Sequence, residues 1–155
     1  RTIWETGFNA GHSTLIWVAT KKNTEVYSFD IGFHRYSSKM AKYLQDKYPG
    51  RLTVIWGDST KTMPEFRRMN PHVKCDLIII DGGHTEPIAT ADLKNFHQLA
   101  NTQNIVVMDD YPTKLGLGKI LGPIWEDQIK NGTLIDLYGC VHLQGRGFAL
   151  GHFLV

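Results

Sequence analysis

The chain has 155 residues, 42% of them hydrophobic and 21% charged, with a formal net charge of +2. That size and balance fit one globular domain and exclude a disordered chain, a collagen-like repeat and a disulfide scaffold. Seventeen Lys and Arg against fifteen Asp and Glu argue against a nucleic-acid partner or a membrane surface.

Thr2–Phe8 reads as a first strand, broken at Gly7 and Gly11, with a helix over Ser13–Lys22. Glu25–Asp30 is a second strand. Arg35–Tyr48 is an amphipathic helix with Tyr36, Met40, Leu44 and Tyr48 at four-residue steps, stopped by Pro49-Gly50. A third strand follows at Arg51–Trp56 and a short helix at Thr62–Met69. Asp76–Asp81 is the most strand-like run, apolar on both faces and so expected at the centre of a sheet. Pro87–Ala100 is helical, Asn104–Asp109 is a fifth strand, and Gly118–Asn131 is a last helix. Leu134–Leu143 and Gly147–Val155 are separated by Gln144, Gly145 and Arg146 alone, and predict an antiparallel hairpin. Apolar strands alternating with helices give an α/β, doubly wound parallel sheet with an antiparallel edge. No run approaches the ~20 apolar residues of a membrane span; the longest is Leu77–Ile80.

In such a sheet, ligands bind beyond the carboxyl ends of the strands, and the polar residues of this chain cluster there. Glu5-Thr6-Gly7-Phe8-Asn9-Ala10-Gly11-His12-Ser13 combines turn glycines with a helix N-terminus. Ser13 is placed to cap that helix or to bind a ligand carboxylate. A plain strand-to-helix turn would look similar. Asp30 ends the second strand, 23 residues beyond Gly7. An acid about 20 residues after a glycine turn is positioned to grip a ribose diol, so the two together point to a nucleoside-containing ligand. Gly57-Asp58-Ser59 could pass against an adenine and bond its amine, or cap the next helix at Ser59 or Thr60. Asp81-Gly82-Gly83-His84 and Asp109-Asp110 end neighbouring strands and bring three carboxylates and a histidine together. Such a cluster favours a hard divalent cation, unless one Asp caps a helix and another faces water.

Other chemistry-bearing residues read as structural. Cys75 and Cys140 are expected as buried thiols, too far apart for a zinc knuckle. His34 and His97 read as surface or packing residues, and His142 and His152 as hairpin residues open to a solvated face. His12 could line the pocket. Trp4, Trp17 and Trp56 read as core, and Trp125 as core or ligand-facing. Asp92 reads as exposed or capping, with a loop hydrogen bond as the other option. Tyr111–Gly118 has the glycine hinges of a gating flap or is a plain connector.

The assembled pattern resembles the class I S-adenosylmethionine-dependent methyltransferases over nearly the whole chain. Glu5 to Ser13 is similar to that class's first motif, E-x-G-x-x-x-G-x-S, and the terminal hairpin to its reversed last strands. The strand ends resemble the cation-dependent, catechol O-methyltransferase-like enzymes. The resemblance implies a Rossmann-like, seven-stranded, mostly parallel sheet and a single S-adenosylmethionine-binding domain. It implies cofactor contacts at Glu5, Gly7, Phe8, Asn9, Gly11, Ser13, Asp30, Gly57, Asp58, Ser59 and Asp81, with Ser13 at the methionine carboxylate. It also implies a divalent cation, Mg²⁺ first, on Asp81, Asp109 and Asp110, with His84 as a base that is neutral near pH 7. The implied reaction is O-methylation of a small hydroxylated molecule. Two alternatives are an NAD-type oxidoreductase, since Tyr43-Leu44-Gln45-Asp46-Lys47 spells a Tyr-x-x-x-Lys, and a non-catalytic binding module. No signal peptide is visible, and few cysteines give a cytoplasmic default. A chain opening on strand-like Arg1-Thr2-Ile3-Trp4 without Met is expected to be an excised domain lacking the family's upstream lid segment. An edge strand in the hairpin could pair two copies as a homodimer.

Overall fold

The structure is a computed structural model and describes residues 1–111, 116–141 and 146–155. Its elements are β1 (Thr2–Thr6), α1 (His12–Thr20), β2 (Glu25–Asp30), α2 (Arg35–Lys47), β3 (Leu52–Trp56) and α3 (Ser59–Met69). They continue as β4 (Cys75–Ile80), α4 (Glu86–Leu99), β5 (Ala100–Asp109), α5 (Gly118–Lys130), β6 (Leu134–Val141) and β7 (Gly147–Phe153). The seven strands form one sheet in the order β3-β2-β1-β4-β5-β7-β6. Chain direction reverses at β7 alone, which is antiparallel to both β5 and β6. β6 therefore runs with the other strands, where the sequence suggested that both hairpin strands were reversed.

Strand alternation sends neighbouring side chains to opposite faces, and the two faces build separate cores. Trp4, Phe29, Ile78, Val106 and Ala149 pack with Met63, Leu93, Phe96 and Trp125 of α3, α4 and α5. Ile3, Val26 and Leu52 pack with Phe8, and with Val18 and Leu44 of α1 and α2. Each fully buried large side chain contributes roughly 1.5–3 kcal/mol of transfer free energy. The sheet topology thus leaves the carboxyl ends of β1 to β5 on one rim.

Several expectations are corrected. α2 buries Ser37, Ala41 and Leu44 and exposes Tyr36. β5 begins at Ala100, before the apolar run, because its polar residues find partners. Asn101 Nδ2 donates to Asp76 Oδ1 at 2.8 Å, and the Asn104 amide takes both the N–H and the C=O of Phe153 at 2.9 Å. Trp56 is 41% exposed rather than core, and Trp125 is fully buried with its indole N–H on Asp136 Oδ1 at 2.9 Å. Cys140 is only half-buried. His152 turns its Nδ1 to the carbonyl of Asn104 at 2.8 Å. Most of the expected flap (112–115), His142 and most of the hairpin turn (142–145) lie outside the described residues. Among the described residues no helix is long and apolar enough to cross a membrane.

Candidate functional site

The loop after β1 is held to the end of β2 by Asp30. Gly7 takes φ +92° and Asn9 φ +49°, a left-handed conformation that Gly and Asn adopt most readily. This turns the Asn9 N–H onto Asp30 Oδ2 at 2.9 Å, while the Gly32 N–H donates to Oδ1 at 2.6 Å. Each oxygen keeps a free lone pair, so the carboxylate can still accept from a vicinal diol. The Tyr36 hydroxyl donates to Asn9 Oδ1 at 2.6 Å and fixes the loop from α2.

Behind the loop lie four expected contacts that do not reach its open side. Glu5 is buried and accepts the hydroxyls of Ser13, at 2.8 Å, and of Thr14. Burial pushes its acid up; the Thr14, Ser13 and Ser28 hydroxyls pull it down, and the charge of Asp81 adds to the rise. Ser13 has spent its one proton on Glu5 and does not cap α1, whose N-cap is Gly11. Phe8 is buried in the α1–α2 core. Gly11 faces inward, where a Cβ would meet the Phe8 ring at 2.7 Å. His12 is exposed.

At the end of β3, Asp58, rather than Ser59 or Thr60, is the N-cap of α3. Its Oδ1 accepts the N–H of Thr60 at 3.0 Å and the Thr60 hydroxyl at 2.7 Å, and these bonds hold its acid below the usual carboxylate range. The helix therefore starts at Ser59, three residues before the start read from sequence.

At the ends of β4 and β5, His84 stands between two carboxylates. Its Nε2 is 3.4 Å from Asp110 Oδ2 and 3.8 Å from Asp81 Oδ1, yet forms a full hydrogen bond with neither. Asp81, followed by the charge of Asp110, raises the imidazole against the opposing effect of burial. The base is therefore more readily protonated than the neutral histidine expected. Asp110 takes φ +56° and is buried, with Arg146 Nε 3.9 Å from its Oδ1. Burial first, then the charges of Asp81 and Asp110, push Asp109 up. Asp81, Asp109 and Asp110 are oxygen donors of the kind a hard cation takes. Among the described residues no three His, Cys, Asp or Glu side chains stand close enough to enclose an ion in this arrangement.

These strand ends share one cleft of about 330 Å³, lined by Gly7, Asn9, Asp30, Gly57, Asp58, Ser59, Asp81 and His84. Glu5, Phe8, Gly11, Ser13, Asp109 and Asp110 are not among its lining residues. Sequence reading missed Ile31, Phe33 and His34, which follow Asp30 and form the outer wall. His34 stacks on Tyr36, with ring centroids 4.8 Å apart and planes 9° apart. It also missed Asp92, which is wholly buried behind the cleft rather than exposed or capping.

The family described as "Methyltransferase domain" matches residues 4–111, and the chain belongs to it. Solved structures share the fold. An O-methyltransferase from Bacillus cereus in complex with SAH has a TM-score of 0.78 at 16% identity, over 99% of this chain and 74% of that one. The O-methyltransferase TomG from Streptomyces achromogenes, involved in tomaymycin synthesis and in complex with SAM, has 0.77 at 16%, over 100% and 74%. SAH-bound methyltransferase PaMTH1 from Podospora anserina has 0.75 at 16%, over 99% and 72%. No curated protein matches the sequence. Membership in this family sets aside the NAD-type oxidoreductase, and the Tyr43–Lys47 pair lies on exposed α2, away from the cleft.

Proposed function

We propose that this domain transfers a methyl group from S-adenosylmethionine to a hydroxyl oxygen of a small acceptor. The observation that carries this reading is that residues from four adjacent strand ends, Gly7, Asp30, Ser59 and His84 among them, line a single cleft. Asp30 would hold the ribose diol, and Asp58 and Ser59 the adenine. Bound there, the cofactor supplies a methyl group already activated on a sulfonium. Asp81, Asp109 and Asp110 would hold a divalent cation such as Mg²⁺, which when bound supplies a positive charge that acidifies an acceptor hydroxyl.

The chain's own part is to orient and to move one proton. Ile31, Phe33 and Ile88 line the cleft with apolar surface. His84 takes the acceptor's hydroxyl proton on its ring nitrogen, and Asp81 and Asp110 stabilise the imidazolium that results. Positioning of the oxygen behind the methyl does the rest.

Calorimetry with S-adenosylhomocysteine and with NADH tests the cofactor, and methyl transfer to catechols, sugars and small acids, with Mg²⁺ or with chelator, tests the chemistry. The expected result is binding of the homocysteine ligand alone. Transfer should need Mg²⁺ and be lost in His84→Gln, which still binds the ligand. Binding without transfer to any acceptor would favour a binding module. Transfer that chelator leaves intact would remove the cation from the reading.

A further inference from the structure

α4 carries Asp92 wholly inside the protein, and neither of its carboxylate oxygens has a hydrogen-bond partner among the described residues. A buried, unpaired carboxylate is costly. Its surroundings are particular. Oδ2 lies directly behind Gly82, where a Cβ would stand 3.2 Å from it and 2.9 Å from Thr6 Oγ1. The Thr6 hydroxyl is itself buried without a partner. The Ser59 hydroxyl, on the first residue of α3, is near enough to lower the Asp92 acid without completing a hydrogen bond to it. Thr6, Ser59 and Gly82 all line the cleft. The acid thus stands one layer behind the wall, near two hydroxyls set in it.

A carboxylate can only accept hydrogen bonds, and a hydroxyl has a single proton to give. A hydroxyl that points its proton at Asp92 leaves its lone pairs turned to the cleft. We propose that Asp92 is a positioning residue that draws the Ser59 and Thr6 protons away from the cleft, so that Ser59 presents an acceptor to the 6-amino group of adenine. This rests on the S-adenosylmethionine reading above and adds what sets the polarity of its adenine end. Burial pushes the Asp92 acid up to about 6, the hydroxyls of Ser59 and Thr6 lower it, and Asp58 is the charged group whose field adds to the rise. The accepting, ionised form prevails above that pH.

The test is calorimetry at pH 7.5 with S-adenosylhomocysteine and S-inosylhomocysteine, whose 6-oxo group puts an acceptor where adenine has a donor. Wild-type protein should prefer the adenosyl ligand by about tenfold or more, the discrimination typical of one mispaired buried polar group. Asp92→Leu should weaken adenosyl binding by about fivefold and bring the preference below about threefold, with kcat at saturating cofactor within about twofold of wild type. Ser59→Ala should lose the same preference, and it keeps the question decidable if Asp92→Leu does not fold. A preference retained in Ser59→Ala, or an Asp92→Leu protein identical to wild type on both ligands, overturns the proposal. Wild type that binds both ligands equally overturns it while the cofactor reading stands. Wild type that binds neither overturns both.

Discussion

Gly7 and the main chain of Asp81 leave no space for a methyl group between them: a Cβ on Gly7 would stand 2.0 Å from the Asp81 carbonyl oxygen. The contact locks the glycine loop of β1 onto the end of β4, so Asp30, which holds that loop, and the acid cluster share one rim. Gly7 also takes φ +92°, which costs a residue with a side chain about 1–3 kcal/mol before any clash is counted. Gly7→Ala is expected to lower unfolding free energy by about 2 kcal/mol or more and to abolish S-adenosylhomocysteine binding. An alanine variant that melts and binds like wild type would show that the loop does not rest on Asp81.

Much of this rim was readable in the sequence, and what was not has physical causes. Leu77–Ile80 and Ile105–Met108 are wholly apolar ahead of Asp81 and Asp109, and Val26, Tyr27 and Phe29 lead up to Asp30, so the acids announce themselves as strand ends. Side-chain direction is what the sequence hid. Tyr36, Met40, Leu44 and Tyr48 step by four, and four residues turn a helix by about 400°, so the stripe winds off the buried face. Ser37, Ala41 and Leu44 step by four and three and stay on it. The same rule would have found Asp92, since Ala89, Asp92, Leu93, Phe96 and Leu99 share the buried face of α4. Its charge argued for the surface, and tertiary position overrode it. The Ser13–Glu5 pair had no such signal, because a hydroxyl can turn inward or outward on the same backbone.

Tyr36 reaches the cleft through Asn9. Its hydroxyl donates to Asn9 Oδ1 at 2.6 Å, and the Asn9 N–H donates to Asp30. Tyr36→Phe keeps the ring that stacks on His34 and removes only the donor. The bond is exposed, so stability should change by less than about 1 kcal/mol. The left-handed Asn9 loses its outer support, and the Kd for S-adenosylhomocysteine should rise about threefold while kcat holds. Calorimetry and a saturation curve read both quantities. An unchanged Kd would mean that Asn9 holds its conformation unaided.

Asp30 meets two backbone donors, the N–H groups of Asn9 and Gly32 at 2.9 and 2.6 Å. Asp30→Asn must turn its amide NH₂ toward one of them, placing donor against donor. It also removes the negative charge that strengthens a bond to a ribose hydroxyl. Affinity for S-adenosylhomocysteine should fall by about tenfold to a hundredfold, since bonds to charged groups contribute about 1.5–3 kcal/mol. Equal titrations of the two proteins would place the ribose elsewhere.

Asp92 gives stability a pH dependence of unusual sign for a carboxyl. Its folded pKa is about 6 against an ordinary 3.8, so the folded state holds the proton more tightly than the unfolded one. The contribution is fully present below about pH 4 and is lost as pH rises through about 6, by about 3 kcal/mol in all. Asp92→Asn has no such loss. Its unfolding free energy should exceed that of wild type by an amount that grows by up to about 3 kcal/mol between pH 4 and 7.5. Urea titrations of both proteins across that range give the difference directly. A constant gap would mean that Asp92 titrates as an ordinary surface acid. A growing gap, in a variant that reads adenine less well, would identify a carboxylate held at the expense of stability because the cleft needs an acceptor behind Ser59.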